Sequence, residues 1–112
     1  AAPYFVDRIT YDPEAVAKQW KDRPATLEIL GSTRDALAAV PSWDATTLEA
    51  ELRGLAERHG IGGGKLFQPL RVALTGLTVS PGIFDVLVMQ GQDRAVARLE
   101  RAIDYINDRN NG

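Results

Sequence analysis

Residues 68–101 read QPLRVALTGLTVSPGIFDVLVMQGQDRAVARLER. Apolar residues recur at helical spacing through this stretch, and glycines punctuate it. Leu66, Leu70, Val72, Ala73 and Leu74 make a short helix from about Lys65 to Thr75, closed by Gly76. Pro69 lies inside that segment, so it kinks the helix or marks its first turn. A second helix starts at Ser80-Pro81. Serine is a favoured N-cap, and proline suits the first helical position because its missing N–H would be unpaired there anyway. The run Ile83, Phe84, Val86, Leu87, Val88 follows, and Gly91 breaks it. A third helix runs from about Gln92 to Asp108, with Val96, Leu99, Ile103 and Ile106 as the expected inward stripe.

Outward from this core the pattern stays helical. Asp12-Pro13-Glu14 opens a helix to about Asp22, with Val16 and Trp20 on one face. Pro24 opens another to about Val40, placing Leu27, Leu30, Leu37 and Val40 inward and weakened by Gly31. Pro41-Ser42 breaks the chain. Asp44 then caps a helix carrying Leu48, Leu52 and Leu55, which Gly60 ends in a left-handed cap. No stretch alternates with period two for long enough to demand a sheet, although residues 5–10 could be briefly extended. The expected fold is all-α, a compact bundle of about six short helices over residues 11–112. Residues 1–10 read as a linker or the remnant of a preceding domain, and Asn110-Asn111-Gly112 as a disordered tail.

The chain has 112 residues, 45% of them apolar, and a formal net charge of −2. One globular domain of this size buries roughly two-thirds of its unfolded surface. No apolar stretch approaches a membrane span and no signal peptide is visible. Zero cysteines exclude a disulfide framework and a thiolate metal site, which fits a reducing cytoplasm. The start Ala1-Ala2-Pro3, without an initiator methionine, fits a piece of a longer protein. Most of the acid excess falls in residues 1–60, whereas 61–112 are close to balanced. A protein held to nucleic acid by phosphate neutralisation would be strongly basic, and this one is not.

Catalytic constellations are missing. His59 is the single histidine and sits in the last turn of its helix, where the dipole favours a cation. Gly62-Gly63-Gly64 is no phosphate loop, because no Gly-Lys-Ser/Thr follows. Glu49 and Glu51 cannot share a helix face. Trp20 and Trp43 read as core or boundary packing.

What remains is the helix start and the arginine before it. Free N–H groups at Gly82 and Ile83, with the positive end of the helix dipole behind them, can donate to a phosphate, a carbonyl or a base edge, and Gly82 carries no side chain to block the approach. The same pattern also describes an ordinary capped helix, and Arg71 an ordinary solvated or ion-paired arginine. Arg94, Arg98 and Arg101 recur at helical spacing. They form either a modest phosphate-facing stripe or a solvated face paired with Asp93, Glu100 and Asp104.

The string GKLFQPLRVALTG, then SPGIFDVL, Gly91 and RAVARLERAI, closely resembles the C-terminal anticodon-binding domain of bacterial-type glutamyl-tRNA synthetase, a class I aminoacyl-tRNA synthetase. Tyr11-Asp12-Pro13-Glu14-Ala15 and the helix led by Trp43 extend the likeness over essentially the whole chain. It implies a role in translation: recognition of the tRNA(Glu) anticodon loop in support of glutamylation. Arg71, Ser80, Pro81, Gly82 and Ile83 are then the contacts to the second and third anticodon bases, and Lys65, Arg94 and Arg98 are candidate phosphate contacts. No cofactor is implied for this chain. ATP, with Mg, belongs to a catalytic domain outside it, and the upstream domains of the same synthetase are the expected partners of a monomer. Phe67 and the triple glycine depart from the family's usual polar, stiffer lead.

Those residue types suit the task. Bases of a single-stranded loop can be splayed out and bonded on their Watson–Crick edges. Uracil and cytosine present carbonyl oxygens that match guanidinium and helix N-terminal N–H donors. Ile83 and Pro81 are expected to supply flat apolar surface. Two bases read at roughly 1–3 kcal/mol each give about millimolar affinity. The competing reading is a helical protein-interaction module docking through exposed apolar residues around Phe67 and Met89.

Overall fold

A computed structural model describes residues 9–111, with side chains to residue 108. Those residues form six helices and no strand: α1 (Pro13–Gln19), α2 (Arg23–Ala39), α3 (Ala45–Arg58), α4 (Gly63–Thr75), α5 (Ile83–Gln90) and α6 (Gln92–Asn111). Three aspartates start the first three. The carboxylates of Asp12, Asp22 and Asp44 accept from the N–H groups of Ala15, Ala25 and Thr47, each satisfying one orphan donor of a first turn. The first helix therefore stops at Gln19, short of the expected Asp22, because Asp22 is committed to capping the second.

The longest partnership is between α2 and α6, which run antiparallel. Gln92, at the start of α6, donates its side-chain amide to the carbonyls of Leu37 and Val40 at 2.8 and 3.2 Å, closing the end of α2. The inward stripe of α6 differs from the one expected. Ala95, Leu99, Ala102 and Ile106 are buried, while Val96 and Ile103 are partly covered. Ala95 and Ala102 take the inward places expected for Val96 and Ile103, which flank the seam, while Leu99 and Ile106 lie in it as expected. The helix also continues through Asn110 to Asn111, where a disordered tail was expected.

Trp20, Tyr11 and Tyr105 form an aromatic cluster joining α1, the segment before it and α6, with ring centroids 4.7–6.1 Å apart. The Trp20 indole donates to the Pro69 carbonyl at 3.2 Å. Pro69 itself sits in the interior of α4, later than a first-turn position, since the helix begins at Gly63 and not Lys65. The carbonyl that Pro69 leaves without a helical partner belongs to Lys65, an exposed residue, so solvent can serve it.

Gly76 ends α4 in the left-handed region, φ +82°, and its N–H bonds the Val72 carbonyl at 2.7 Å. A methyl group there would also run into the Thr10 carbonyl, while the Gly76 carbonyl accepts from Asp12 N–H at 2.8 Å. Gly76→Ala is therefore expected to destabilise the domain by about 1–2 kcal/mol, measurable as a lower urea midpoint. A midpoint equal to wild type would show that this junction yields freely. The expected extension over residues 5–10 lies largely outside the described residues.

Candidate nucleic-acid interface

The end of α4 is held by two donors on one acceptor. The carbonyl of Leu74 receives the Gln90 amide at 3.0 Å and the Arg98 guanidinium at 2.8 Å. Arg98 is only 4% exposed, so it is removed from the candidate phosphate contacts. Its spacing with Arg94 and Arg101 suggested a wet stripe, but the alanine seam of α6 turns it inward, where it braces α4. Trp43 likewise fastens α5, donating its indole N–H to the Leu87 carbonyl at 2.7 Å. These bonds fix the angle between α4 and α5.

Residues 76–82 cross from one helix to the other. The Thr75 hydroxyl bonds the Arg71 carbonyl at 2.8 Å and accepts from Leu77 N–H at 3.1 Å, setting the direction in which the chain leaves α4. The loop then returns to the same helix. Arg71 Nε donates to the Ser80 hydroxyl at 2.9 Å, and that hydroxyl donates to the Pro81 carbonyl at 2.8 Å. Arg71 and Ser80 therefore meet. Among the described residues Ser80 is the only hydrogen-bonding partner of this half-buried guanidinium, so its two terminal amino groups remain as donors without an ion pair.

The helix start sits two residues later than Ser80-Pro81 suggested. Gly82 is the N-cap and Ile83 the first helical residue, with no side chain capping the end. Ser80 does not cap because its hydroxyl is bonded to Arg71 and Pro81. The unpaired first-turn donors are consequently those of Ile83, Phe84 and Asp85. Pro81 and Gly82 are exposed, which leaves an open approach. Ile83 requires a correction: its side chain is 5% exposed and belongs to the core, so it offers a backbone N–H and not a flat apolar surface.

Asp85 decides what kind of acceptor fits this helix start. Its carboxylate lies so close to Gly82 that a side-chain carbon added there would be 3.3 Å from Oδ2. A negative charge beside the first turn stabilises the helix and repels a second anion. Neutral carbonyl oxygens, as on a pyrimidine edge, are the matched acceptors; a phosphate is not.

One part of this surface was not identified as a site residue from sequence. Phe67 stands one turn before Arg71 on α4 and packs edge-on against Phe84 of α5, centroids 5.5 Å apart. Arg53 of α3 lies over the Phe67 ring. Phe67 is thus covered on two sides, while Val88 and Met89 are exposed at 43% and 47%. The pairing of Phe67 with Phe84 is a long-range contact with no local signature. Lys65 is exposed in the first turn of α4, and Arg94 is half-buried on α6. Among the described residues no His, Asp and Glu cluster could hold a metal ion, and no helix is long and apolar enough to cross a membrane.

Residues 1–103 match the family of anticodon binding domains, and the chain belongs to that family. Among curated proteins it is 44% identical over 103 residues to a glutamate–tRNA ligase of Roseiflexus castenholzii, covering 92% of this chain and 20% of that protein. It is 56% identical over 72 residues to glutamate–tRNA ligase 2 of Rhizorhabdus wittichii, covering 64% of this chain and 15% of that one. Among solved structures, a glutamate tRNA ligase from Elizabethkingia meningosepticum, crystallised with its amino acid, superposes with a TM-score of 0.82 at 28% identity, over 90% of this chain and 20% of the other. The chain spans a fifth or less of the length of these relatives. The all-α fold and the family are those expected from sequence.

Proposed function

We propose that this domain reads the anticodon loop of tRNA(Glu) on behalf of a glutamate–tRNA ligase, a class I synthetase whose other domains bind ATP with Mg and perform the glutamylation. The observation that carries the reading is the bond from Arg71 to Ser80. It ties the base-reading arginine to the loop that leads into α5, so that terminal guanidinium donors and the open N–H groups beyond Gly82 lie on adjoining elements. Two unpaired pyrimidines match that donor set: one edge is met by Arg71, the next by the helix start. Pro81 contributes the exposed apolar edge, and Ser80 acts by orienting the guanidinium.

The absence of a basic face limits the grip. With net charge −2 and Arg98 buried, Lys65 and Arg94 are the remaining candidates for phosphate contact. Recognition by two bases yields about millimolar affinity for the domain alone. The rest of the binding energy then comes from other domains of a cytoplasmic, monomeric ligase. The protein-docking alternative draws less support, because Phe67 is already packed against Phe84 and Arg53.

Chemical-shift mapping with an anticodon stem-loop tests this. Perturbations concentrated in residues 65–71 and 80–85 are expected. No perturbation at millimolar RNA would reject RNA binding, and a footprint on Val88 and Met89 alone would relocate the surface.

A further inference from the structure

Arg53 lies outside the proposed base site, yet its guanidinium is held from two sides. Its Nε donates to the Glu49 carboxylate at 2.8 Å, one turn earlier on α3. Its Cζ lies 5.6 Å from the centre of the Phe67 ring, within cation–π range. Phe67 is steadied in turn by the edge-to-face contact with Phe84, the planes at 81°. The Arg53 side chain is nevertheless 59% exposed, so much of the guanidinium is open to solvent. Phe67 precedes Arg71 by four residues, about 6 Å along α4. A guanidinium plane, an aromatic ring and the arginine of the proposed base site therefore follow one another across α3 and α4.

We propose that Arg53, backed by Phe67, is a stacking ledge for one further unpaired nucleotide, the neighbour of the bases met by Arg71 and the α5 start; this rests on the anticodon reading given above. Guanidinium planes stack on nucleobases, and an aromatic backing fixes the plane before the base arrives. Glu49 separates this role from a phosphate contact. Its carboxylate offsets the charge of Arg53 and so weakens attraction for a phosphate, while leaving the flat face available. Every base has a π-face, so the ledge adds affinity and loop geometry without choosing the base.

Binding of the 112-residue chain to an anticodon stem-loop carrying 2-aminopurine at each loop position in turn tests the idea, because stacking quenches that base. One position beside the Arg71-dependent bases is expected to be quenched by wild type and not by Arg53→Ala or Arg53→Lys, with binding weakened roughly tenfold in both. Lysine keeps the charge and lacks the plane. Wild-type quenching and affinity in Arg53→Lys would overturn the stacking role in favour of a charge contact, and the same result in Arg53→Ala would remove the contact altogether. In either case a weakened Arg71→Ala leaves the anticodon reading standing. Wild type failing to bind at millimolar RNA, or Arg71→Ala binding as tightly as wild type, rejects that reading and the ledge with it.

Discussion

Replacing Arg71 by alanine in a ligase carrying this domain is expected to lower kcat/KM for tRNA by about 10- to 100-fold, the equivalent of about 1–3 kcal/mol of lost recognition. KM for ATP and for glutamate should not change, because the residue contacts neither. The size of the effect follows from the donors at stake. Arg71 presents terminal amino groups that no described protein group occupies, and in the proposed site their removal leaves an unpaired pyrimidine carbonyl without its partner. Arg71→Lys retains the charge but cannot both bond Ser80 and present two amino groups in one plane, so it should recover little. Ser80→Ala should cost less than Arg71→Ala, since the guanidinium remains but loses the bond that aims it. Thermal melts of the three variants should stay close to wild type, because Arg71 makes no ion pair among the described residues. Unchanged charging by Arg71→Ala would remove this residue from the tRNA surface.

The parts of this molecule that depend on near neighbours were legible in its sequence. Asp12 and Asp44 cap helices where an aspartate precedes an apolar periodic run, and Gly60 and Gly76 adopt positive φ where glycine follows one. The indole groups of Trp20 and Trp43 pack and bond as boundary residues should. Legibility ended where a tertiary contact outbid a local one. Ser80-Pro81 has the composition of a helix start, but the Ser80 hydroxyl serves Arg71, nine residues away, and the helix begins later. Arg98 has the spacing of a surface stripe, yet the contact chosen by α6 runs through alanines and carries the arginine inside.

The same limit applies to the site. Arg71 and the α5 start could be singled out as candidates because both lie in one contiguous motif. The Glu49–Arg53–Phe67–Phe84 array could not, since three helices contribute to it and only its Glu49–Arg53 pair has a helical spacing in the chain. Ile83 shows a subtler failure. Its backbone is at the helix start as expected, but the first turn of a helix has an inner and an outer face, and only packing tells which one a given side chain takes.

The largest stability loss is expected at Trp20, and its cause links the core to the site. The ring is 5% exposed, meets Tyr11 and Tyr105, and donates to the Pro69 carbonyl, two residues before Arg71. Trp20→Ala should cost about 3–5 kcal/mol, because the cavity would open between α1, α4 and α6, and α4 and α6 are each held by further packing on α2 and α5 that resists collapse into it. That is a large share of the roughly 5–15 kcal/mol available to a domain of this kind. Trp20→Phe keeps an aromatic surface against the two tyrosines and loses the N–H, so it should fall well short of that cost. Urea unfolding monitored by circular dichroism reads both, with an unchanged slope confirming that the midpoint shift is a change in stability. A loss below about 1 kcal/mol for Trp20→Ala would mean that the aromatic cluster does not hold α4. In that case the position of Arg71 would rest on the packing of α4 against the other helices and on the Leu74 carbonyl clamp from Gln90 and Arg98.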